Sequence, residues 1–392
     1  MEKKHKIIVA VVALVVAIIA IYFFSTRDQR MVDRVEKVKE QAQMSDEAQA
    51  LDDKNVSPIS GISCENWNKR PIAVMQPADV QARPAAGFSA ADMVFEMPAF
   101  TSSVTRLMGV YICDVPDEIG AIRSARHDYI PLAKGLDAVF VHWGGSIFAL
   151  DKLKGHIIDN IECLVYSGKY CDRWDYKNIA GMRKEDSSHV KKEKLMAAIS
   201  DLGYRTESQL ERYPHQIDAP IEKRPEKGHL RVGFAGPYEA EYDYDKNSNS
   251  YLRIWGDKDD VDRNNGERIA PKNVVVMIAK SEQIALDTDY DARGVDDPWD
   301  IVPEVKKTGD QSIDFRYNDV QIGDPWFDVS DSGEAHYYFN GKDYRGTWKK
   351  DKSDMGSKLF FYDQSGDEIK FVPGQVWVEI LEPGQALKWS VE

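Results

Sequence analysis

The order of apolar and polar positions divides the chain into a long apolar run, a charged stretch and a folded remainder. Residues 7–24 are all apolar, and at about 1.5 Å per residue a helix of this length spans about 27 Å, enough to cross a bilayer core. Residues 25–57 are charged, and their apolar positions repeat over only about two heptads. We therefore interpret residues 25–57 as a solvated stalk or linker.

Short apolar segments alternate with helical patterns after residue 70. Strands are predicted at 71–75, 93–97, 105–112 and 138–142, and helices at 124–135, 146–153 and 190–202. Ser124 and Ser146 are candidate N-caps of two of these helices. This alternation predicts an α/β (α+β) N-terminal ectodomain over residues 58–222.

Prolines in residues 207–229 indicate a linker, and the pattern beyond it is typical of β-structure. Strands are predicted at 251–255, 273–278, 335–339, 358–362 and 375–381. Asn340-Gly341 is a strong hairpin signal, because both residues tolerate a positive φ. We expect a mainly antiparallel β C-terminal domain over residues 223–392.

The net charge of the chain argues against some classes of binding partner. Lys plus Arg is 51, Asp plus Glu is 65 and the net charge is −14, which argues against nucleic acid and against unaided binding to anionic lipid or wall polymer. Lysines precede residues 7–24 and no Ala-x-Ala site follows them, so we predict one transmembrane helix, an uncleaved signal-anchor with residues 1–6 cytoplasmic and the bulk extracytoplasmic. Arginines just beyond the apolar run leave a cleaved signal peptide as the alternative.

The cysteines predict disulfides, and the cysteines and acidic runs together are the residues to consider for metal binding. Cys64, Cys113, Cys163 and Cys171 make an even count, which in an exported chain fits two disulfides. A small loop between Cys163 and Cys171 is the preferred pairing, although four cysteines allow three. No Cys-x-x-Cys pair is present, and we expect neither zinc nor a cofactor. The acidic runs at 243–249, 257–262 and 287–291 lack the glycine and glutamate of an EF-hand, so exposed loops are favoured over calcium sites.

Several motifs resemble one family of bacterial envelope proteins. Among them are Arg70-Pro-Ile-Ala-Val-Met75, Thr105-Arg106, Ile119-Gly-Ala-Ile-Arg-Ser-Ala-Arg126, His142-Trp-Gly-Gly-Ser146 and Pro373-Gly-Gln-Val-Trp377. Over about residues 58–382 the chain resembles the YerB-like proteins, which are lipoproteins or membrane-anchored proteins with paired N- and C-terminal domains of unknown function. The resemblance implies an envelope location but no established reaction. The lipid-attachment cysteine of many relatives is absent, and of a further family motif only Arg173 and His189 match.

The densest polar motif is a candidate anion site. Arg123, Arg126 and His127 would share one face near a helix start, where the helix dipole adds to their charge. Guanidinium groups suit carboxylate or phosphate. Arg106 and Arg173 join this set as candidates through the resemblance. The alternative is that the arginines pair with Glu96 or Asp92 and only stabilise the fold.

A second motif follows the strand that ends at His142. Gly144, Gly145 and Ser146 lead from this strand end into a helix, which is the usual position of a ligand crevice in an open α/β sheet. We include Ser124 with them as a candidate ligand-binding residue. The glycines could instead serve only a tight turn. The motif lacks the glycine spacing and the lysine of a nucleotide-phosphate loop.

Three functions remain open. Binding of a wall glycan, a peptide stem or another envelope protein is favoured. The second hypothesis is a hydrolase or lyase of cell-wall polymer, in which Glu96 acts as acid or base with His142 or His189; a buried, salt-bridged Glu96 is its alternative. The third is a structural role in an envelope complex.

Overall fold

The computed structural model describes residues 55–99, 104–283, 318–320 and 331–392. The predicted membrane segment and most of the stalk lie outside these residues. Within the described part of the chain, no helix is long and apolar enough to cross a membrane. The described residues belong to one compact unit.

The first half of the described chain contains eight strands and three helices. The strands are β1 (Ile72–Pro77), β2 (Met93–Pro98), β3 (Thr105–Tyr111), β4 (Glu118–Gly120), β5 (Val139–His142), β6 (Asn160–Glu162), β7 (Cys171–Arg173) and β8 (Ser188–Lys191). The helices are α1 (Tyr129–Gly135), α2 (Ile147–Lys154) and α3 (Lys192–Asp201).

The second half contains strands alone, apart from one short 3₁₀ turn, within the residues that the structure describes. They are β9 (Lys227–Gly233), β10 (Ala240–Asp245), β11 (Ser250–Trp255), β12 (Lys258–Asp259), β13 (Asn273–Ile278), β14 (Ser281–Gln283), β15 (Asn318–Val320), β16 (Ser332–Phe339), β17 (Lys342–Lys349), β18 (Phe360–Asp363), β19 (Val376–Leu381) and β20 (Ala386–Val391).

Both halves contribute to one mixed ten-stranded sheet, in the order β18-β17-β16-β13-β19-β2-β3-β1-β5-β6. The halves join where β19 pairs in parallel with β2, with Val376 opposite Met93 and Glu379 opposite Glu96. The predicted fold class, an α/β domain followed by a separate antiparallel domain, is therefore wrong. The described chain is mostly β, and its few helices cover a sheet that the two halves share. The predicted boundary between residues 222 and 223 stays a prediction.

The large sheet is buried on both faces. On one face Met75, Phe95 and Val378 pack with α1 and with the aromatic residues of β16 and β18. On the other face Val74 and Trp377 pack against a five-stranded antiparallel sheet (β12-β11-β10-β9-β20) and a three-stranded one (β4-β8-β7). Central strands buried on both sides carry continuous apolar runs rather than alternating ones. This explains the uninterrupted valines of β13.

Local signals in the sequence placed several turns and ends correctly. Ser146 caps α2, its hydroxyl oxygen accepting from the Ala149 amide at 3.2 Å. Asn340 and Gly341 join β16 to β17 with φ of 53° and 67°, as a type I′ hairpin requires. The disulfides are Cys64–Cys113 and Cys163–Cys171, so the preferred pairing is confirmed.

Candidate functional site

The candidate site lies where parallel strands of the large sheet end. β1, β5 and β6 run in parallel, and the segment before α1 crosses the carboxyl ends of β1 and β5. The Arg123 amide donates to the Met75 carbonyl at 2.8 Å, and the Trp143 amide donates to the Arg123 carbonyl at 3.0 Å. Ligands of open sheets commonly bind at this edge.

The arginines stand on this crossing segment and not on a helix. Helix α1 begins at Tyr129, whereas the Ala125 amide donates to the Gly144 carbonyl at 2.9 Å. The prediction that a helix start presents Arg123 and Arg126 is therefore wrong. The backbone of Arg123 bonds to the strand ends, whereas the Arg126 carbonyl accepts from the Tyr129 amide at 3.2 Å, in the turn that leads into α1.

We call Arg106, Arg123 and Arg126 the arginine site. Arg106 stands on β3 opposite Pro77 and Met97 and is only 6% exposed. Its Nε and Nη1 atoms have no hydrogen-bond partner among the described residues. Burial lowers the pKa of the Arg106 guanidinium to about 9, with further lowering by the charges of Arg126 and Arg123. Arg106 is thus a buried cation at neutral pH.

Two aspartates neutralise part of this charge. Arg123 Nη2 lies 3.2 Å from Asp79 Oδ2 and 2.7 Å from Asp186 Oδ1. Arg183 meets the other oxygens of the same carboxylates, at 3.0 Å and 2.5 Å. Burial raises the pKa of Asp79, but Arg123, Arg106 and Arg183 outweigh it and the pKa is lowered. Asp79 is therefore ionised and holds Arg123, while Arg106 keeps its unsatisfied donors.

The sequence alone did not identify Asp79, Asp186 and Arg183 as partners at the arginine site. Asp79 follows the predicted strand at 71–75 closely, and the rule that polar groups cluster at carboxyl strand ends could have found it. Asp186 ends a short 3₁₀ turn before β8, and Arg183 directly precedes that turn. Nothing in their local pattern indicates that this segment returns to β1.

Two further side chains border the site. The Arg173 guanidinium carbon lies 4.2 Å from the centre of a Trp143 ring, and burial, with Arg123 adding to it, lowers the pKa of Arg173. Tyr238, from the connection between β9 and β10, has its pKa raised by burial and by Asp79, while Arg183 and Arg106 lower it. The charges of the site therefore act on the Arg173 guanidinium and on the Tyr238 hydroxyl.

The glycine turn is held by a neighbouring strand. His142 is buried; its Nδ1 atom lies 2.8 Å from the Gly144 carbonyl oxygen and 3.2 Å from Glu162 Oε2, and its Nε2 atom lies 3.2 Å from Asn160 Oδ1. Glu162 also accepts from the Gly144 amide at 2.7 Å. The His142 ring therefore supports the turn. Gly144, at φ +67°, faces open space, whereas a Cβ on Gly145 would meet Leu150 at 3.0 Å.

The other predicted site residues each have their own contacts and do not form a catalytic pair. Ser124 donates to the Trp143 carbonyl at 3.3 Å, and His127 is fully buried with Nε2 3.4 Å from Asp128 Oδ1. His189 lies 3.4 Å from Glu118 and stacks on Trp174 at 5.0 Å. Burial lowers the pKa of His189, opposed by Glu118.

Glu96 lies between the two large sheets and is fully buried. Its Oε1 atom accepts from the Thr105 hydroxyl at 2.6 Å, and its Oε2 atom accepts from Arg253 Nη2. Arg253 also pairs with Asp260. A carboxylate fixed in this way has no access to substrate, so the geometry argues against Glu96 as an acid or base.

The acidic runs are used in turns and ion pairs. Asp245 accepts from the Ser248 amide at 2.9 Å, and Asp262 accepts from the Gly87 amide at 3.0 Å. Residues 287–291 lie outside the described residues. Among the residues that are described, no group of three His, Cys, Asp or Glu side chains could hold a metal ion.

The fold and the candidate site together define a class of protein with two main β-sheets, two disulfides within the chain, and an arginine site at the edge of one sheet. The chain belongs to the family described as "Protein of unknown function (DUF3048)": residues 59–207 match its N-terminal domain, and residues 230–298 and 301–378 match its C-terminal domain. The resemblance noted in the sequence is confirmed.

Two comparisons extend this assignment. The chain is 24% identical over 330 residues to "Putative lipoprotein YerB" of Bacillus subtilis, covering 83% of this chain and 86% of that protein. It is also similar to the crystal structure of YerB protein from Bacillus subtilis, with a TM-score of 0.67 and 23% identity over 86% of this chain and 100% of the other. At this identity the structural similarity establishes the fold alone.

Proposed function

We propose that the folded part of the chain is an extracytoplasmic binding domain that holds an anionic group of an envelope ligand at the arginine site. The observation that carries this proposal is Arg106, a buried guanidinium whose Nε and Nη1 atoms lack partners among the described residues. An unpartnered buried cation costs folding free energy. An anion entering the site would supply the missing acceptor.

The chemistry of the site suits carboxylate or phosphate. A planar guanidinium can donate two parallel hydrogen bonds to either group. Arg123 is already shared by Asp79 and Asp186, so its role is to shape the site rather than to neutralise the ligand. The open space beside Gly144 leaves room for the rest of the ligand. Ligands of this chemistry include a phosphate-bearing wall glycan, a peptide stem and an acidic surface of an envelope protein.

The proposal places the chain at the cell envelope, held at the membrane by the apolar residues 7–24 with the folded part outside. Its support is the similarity to a protein named as a lipoprotein and the two disulfides, which persist in oxidising compartments. The net charge of −14 repels anions at long range. We therefore expect nucleic acid not to bind, and the arginine site to act only at short range.

The test is anion-dependent stability of the full-length chain in non-ionic detergent. Inorganic phosphate and acetate are titrated against chloride at equal ionic strength, and the unfolding temperature is measured. We expect phosphate or acetate to raise it more than chloride does, because a ligand that binds only the folded state stabilises it. Arg106→Met should weaken the binding by at least about tenfold.

Arg205→Met is the matched control, since it also removes one guanidinium, from a partly exposed pair with Asp137. Its response to phosphate and acetate should equal that of the unsubstituted chain. An Arg106→Met chain that is stabilised by these anions as strongly as the unsubstituted chain would contradict the proposal.

A further inference from the structure

A second candidate site lies on the opposite half of the chain, along the edge strand β20. A depression of about 870 Å³ separates β20 from the β16–β17 hairpin. A second depression of about 560 Å³ adjoins it, and Trp389 and Asp343 line both. We call the two together the Trp389 groove. It shares no lining residue with the arginine site, so each can be tested without the other.

Trp389 is a fixed aromatic platform in this groove. Its ring lies 5.3 Å from Tyr338 and 6.2 Å from Tyr251, measured between ring centres. It also packs over Gly228, where a Cβ atom would come within 2.2 Å of the indole. Trp389 nevertheless remains partly exposed. A ring held in place in this way can bind a ligand at little cost in side-chain entropy.

The groove is basic although the chain is acidic. Its lining contains six Lys or Arg residues against Glu241 and Asp343, in a chain of net charge −14. Arg224 and Arg231 are already paired with carboxylates. The remaining four are exposed and form no salt bridge with any described residue; they are Lys223, Lys342, Arg345 and Lys388.

These four cations are divided between the two depressions that Trp389 joins. Arg345 and Lys388 line the larger depression, and Lys223 and Lys342 line the smaller one. The arrangement suits a chain-like ligand with a flat apolar face in its middle and negative charges on either side.

We propose that the Trp389 groove binds an anionic polysaccharide, with one sugar ring stacked on Trp389 and its acidic groups held by the flanking cations. Sugars present an apolar face of C–H groups to an aromatic ring, and carboxylate or phosphate substituents supply the charge. The other candidate occupant is an acidic peptide, which could pair with β20, since β20 has one strand neighbour among the described strands. A fixed indole at the centre of the groove favours the polysaccharide.

The experiment titrates the full-length chain in detergent with oligogalacturonate and measures binding by calorimetry. Dextran of similar length is the uncharged probe and poly-L-glutamate is the peptide probe. We expect oligogalacturonate to bind and dextran to bind at least about tenfold more weakly. Replacing both Arg345 and Lys388 by Ala should weaken oligogalacturonate binding by about tenfold or more.

Matched controls separate the groove from general charge. The double substitution of Lys177 and Lys370 by Ala removes the same charge from exposed positions outside the groove, and it should leave the affinity unchanged. Trp389→Phe keeps an aromatic ring, and it should bind more weakly than the unsubstituted chain while remaining folded. The proposal is overturned if oligogalacturonate does not bind, if the Lys177 and Lys370 substitutions weaken binding equally, or if poly-L-glutamate binds more tightly through Arg345 and Lys388.

Discussion

The arginine site and the ion network around Arg253 both bury guanidinium groups near carboxylates. The network pairs its central arginine, whereas the arginine site contains Arg106 without a salt bridge to any described residue. In the network, Arg253 contacts Glu96 and Asp260, and Asp260 also pairs with Arg83. At the arginine site, Asp79 and Asp186 pair with Arg123, whereas Arg106 forms no salt bridge with any described residue, and its Nε and Nη1 atoms lack hydrogen-bond partners there. The difference shows that clustered charge does not identify a binding site. The arginine site differs in containing a buried charge, Arg106, without an ionic partner among the described residues.

Removing Arg253 should have the largest effect on stability. Arg253→Met leaves Glu96 and Asp260 buried without their main partner, which costs about 3–5 kcal/mol. Urea unfolding followed by tryptophan fluorescence measures this loss. A loss below about 1 kcal/mol would show that the network is less dependent on its central cation than its geometry indicates.

The pH dependence of the network should give an intermediate effect. Burial, together with Glu96, raises the pKa of Glu379 well above its usual 4.5, so its neutral form is the stable one in the folded state. This contribution is complete below about pH 4.5 and is lost as pH rises towards the folded-state pKa. The unsubstituted chain should therefore lose stability relative to Glu379→Gln as the pH rises above about 4.5.

Comparing the unsubstituted chain with Glu379→Gln also cancels the pH dependence that His215 contributes to stability, which has the opposite sign. Burial lowers the pKa of His215 to about 4, so folding stability gains from that group as pH rises from about 4 to about 6.5. Both chains contain His215, and the difference between their urea midpoints isolates Glu379. Parallel pH profiles in the two chains would refute the raised pKa.

Removing Arg106 should have the smallest effect in the absence of ligand. Arg106→Met deletes a buried charge without an ionic partner, so the free energy of unfolding should change by less than about 1 kcal/mol or increase. The same urea experiment in chloride buffer measures it. A loss as large as that of Arg253→Met would make Arg106 a structural residue and remove the contrast between the two regions.

Local chemistry could be predicted from the sequence, and long-range pairing could not. Ser146 as a cap, the Asn340-Gly341 turn and the small Cys163–Cys171 loop each depend on neighbouring residues. The partner of Glu96 is Arg253, 157 positions away, and no local pattern indicates it. Arg123 and Arg126 were found because they cluster in sequence, and Arg106 through the family resemblance, but the position of Arg123 across the ends of β1 and β5 could not be predicted.

The parallel pairing of β19 with β2 has a consequence for biosynthesis. β19 is inserted between β13 and β2, yet it is made almost 300 positions after β2. While the ribosome is still producing the second half, the β2 edge of the sheet stays unpaired and apolar, which is a template for aggregation. The first half therefore depends on the last strands of the chain for its solubility, and truncation near residue 222 should yield an aggregating fragment rather than a stable domain.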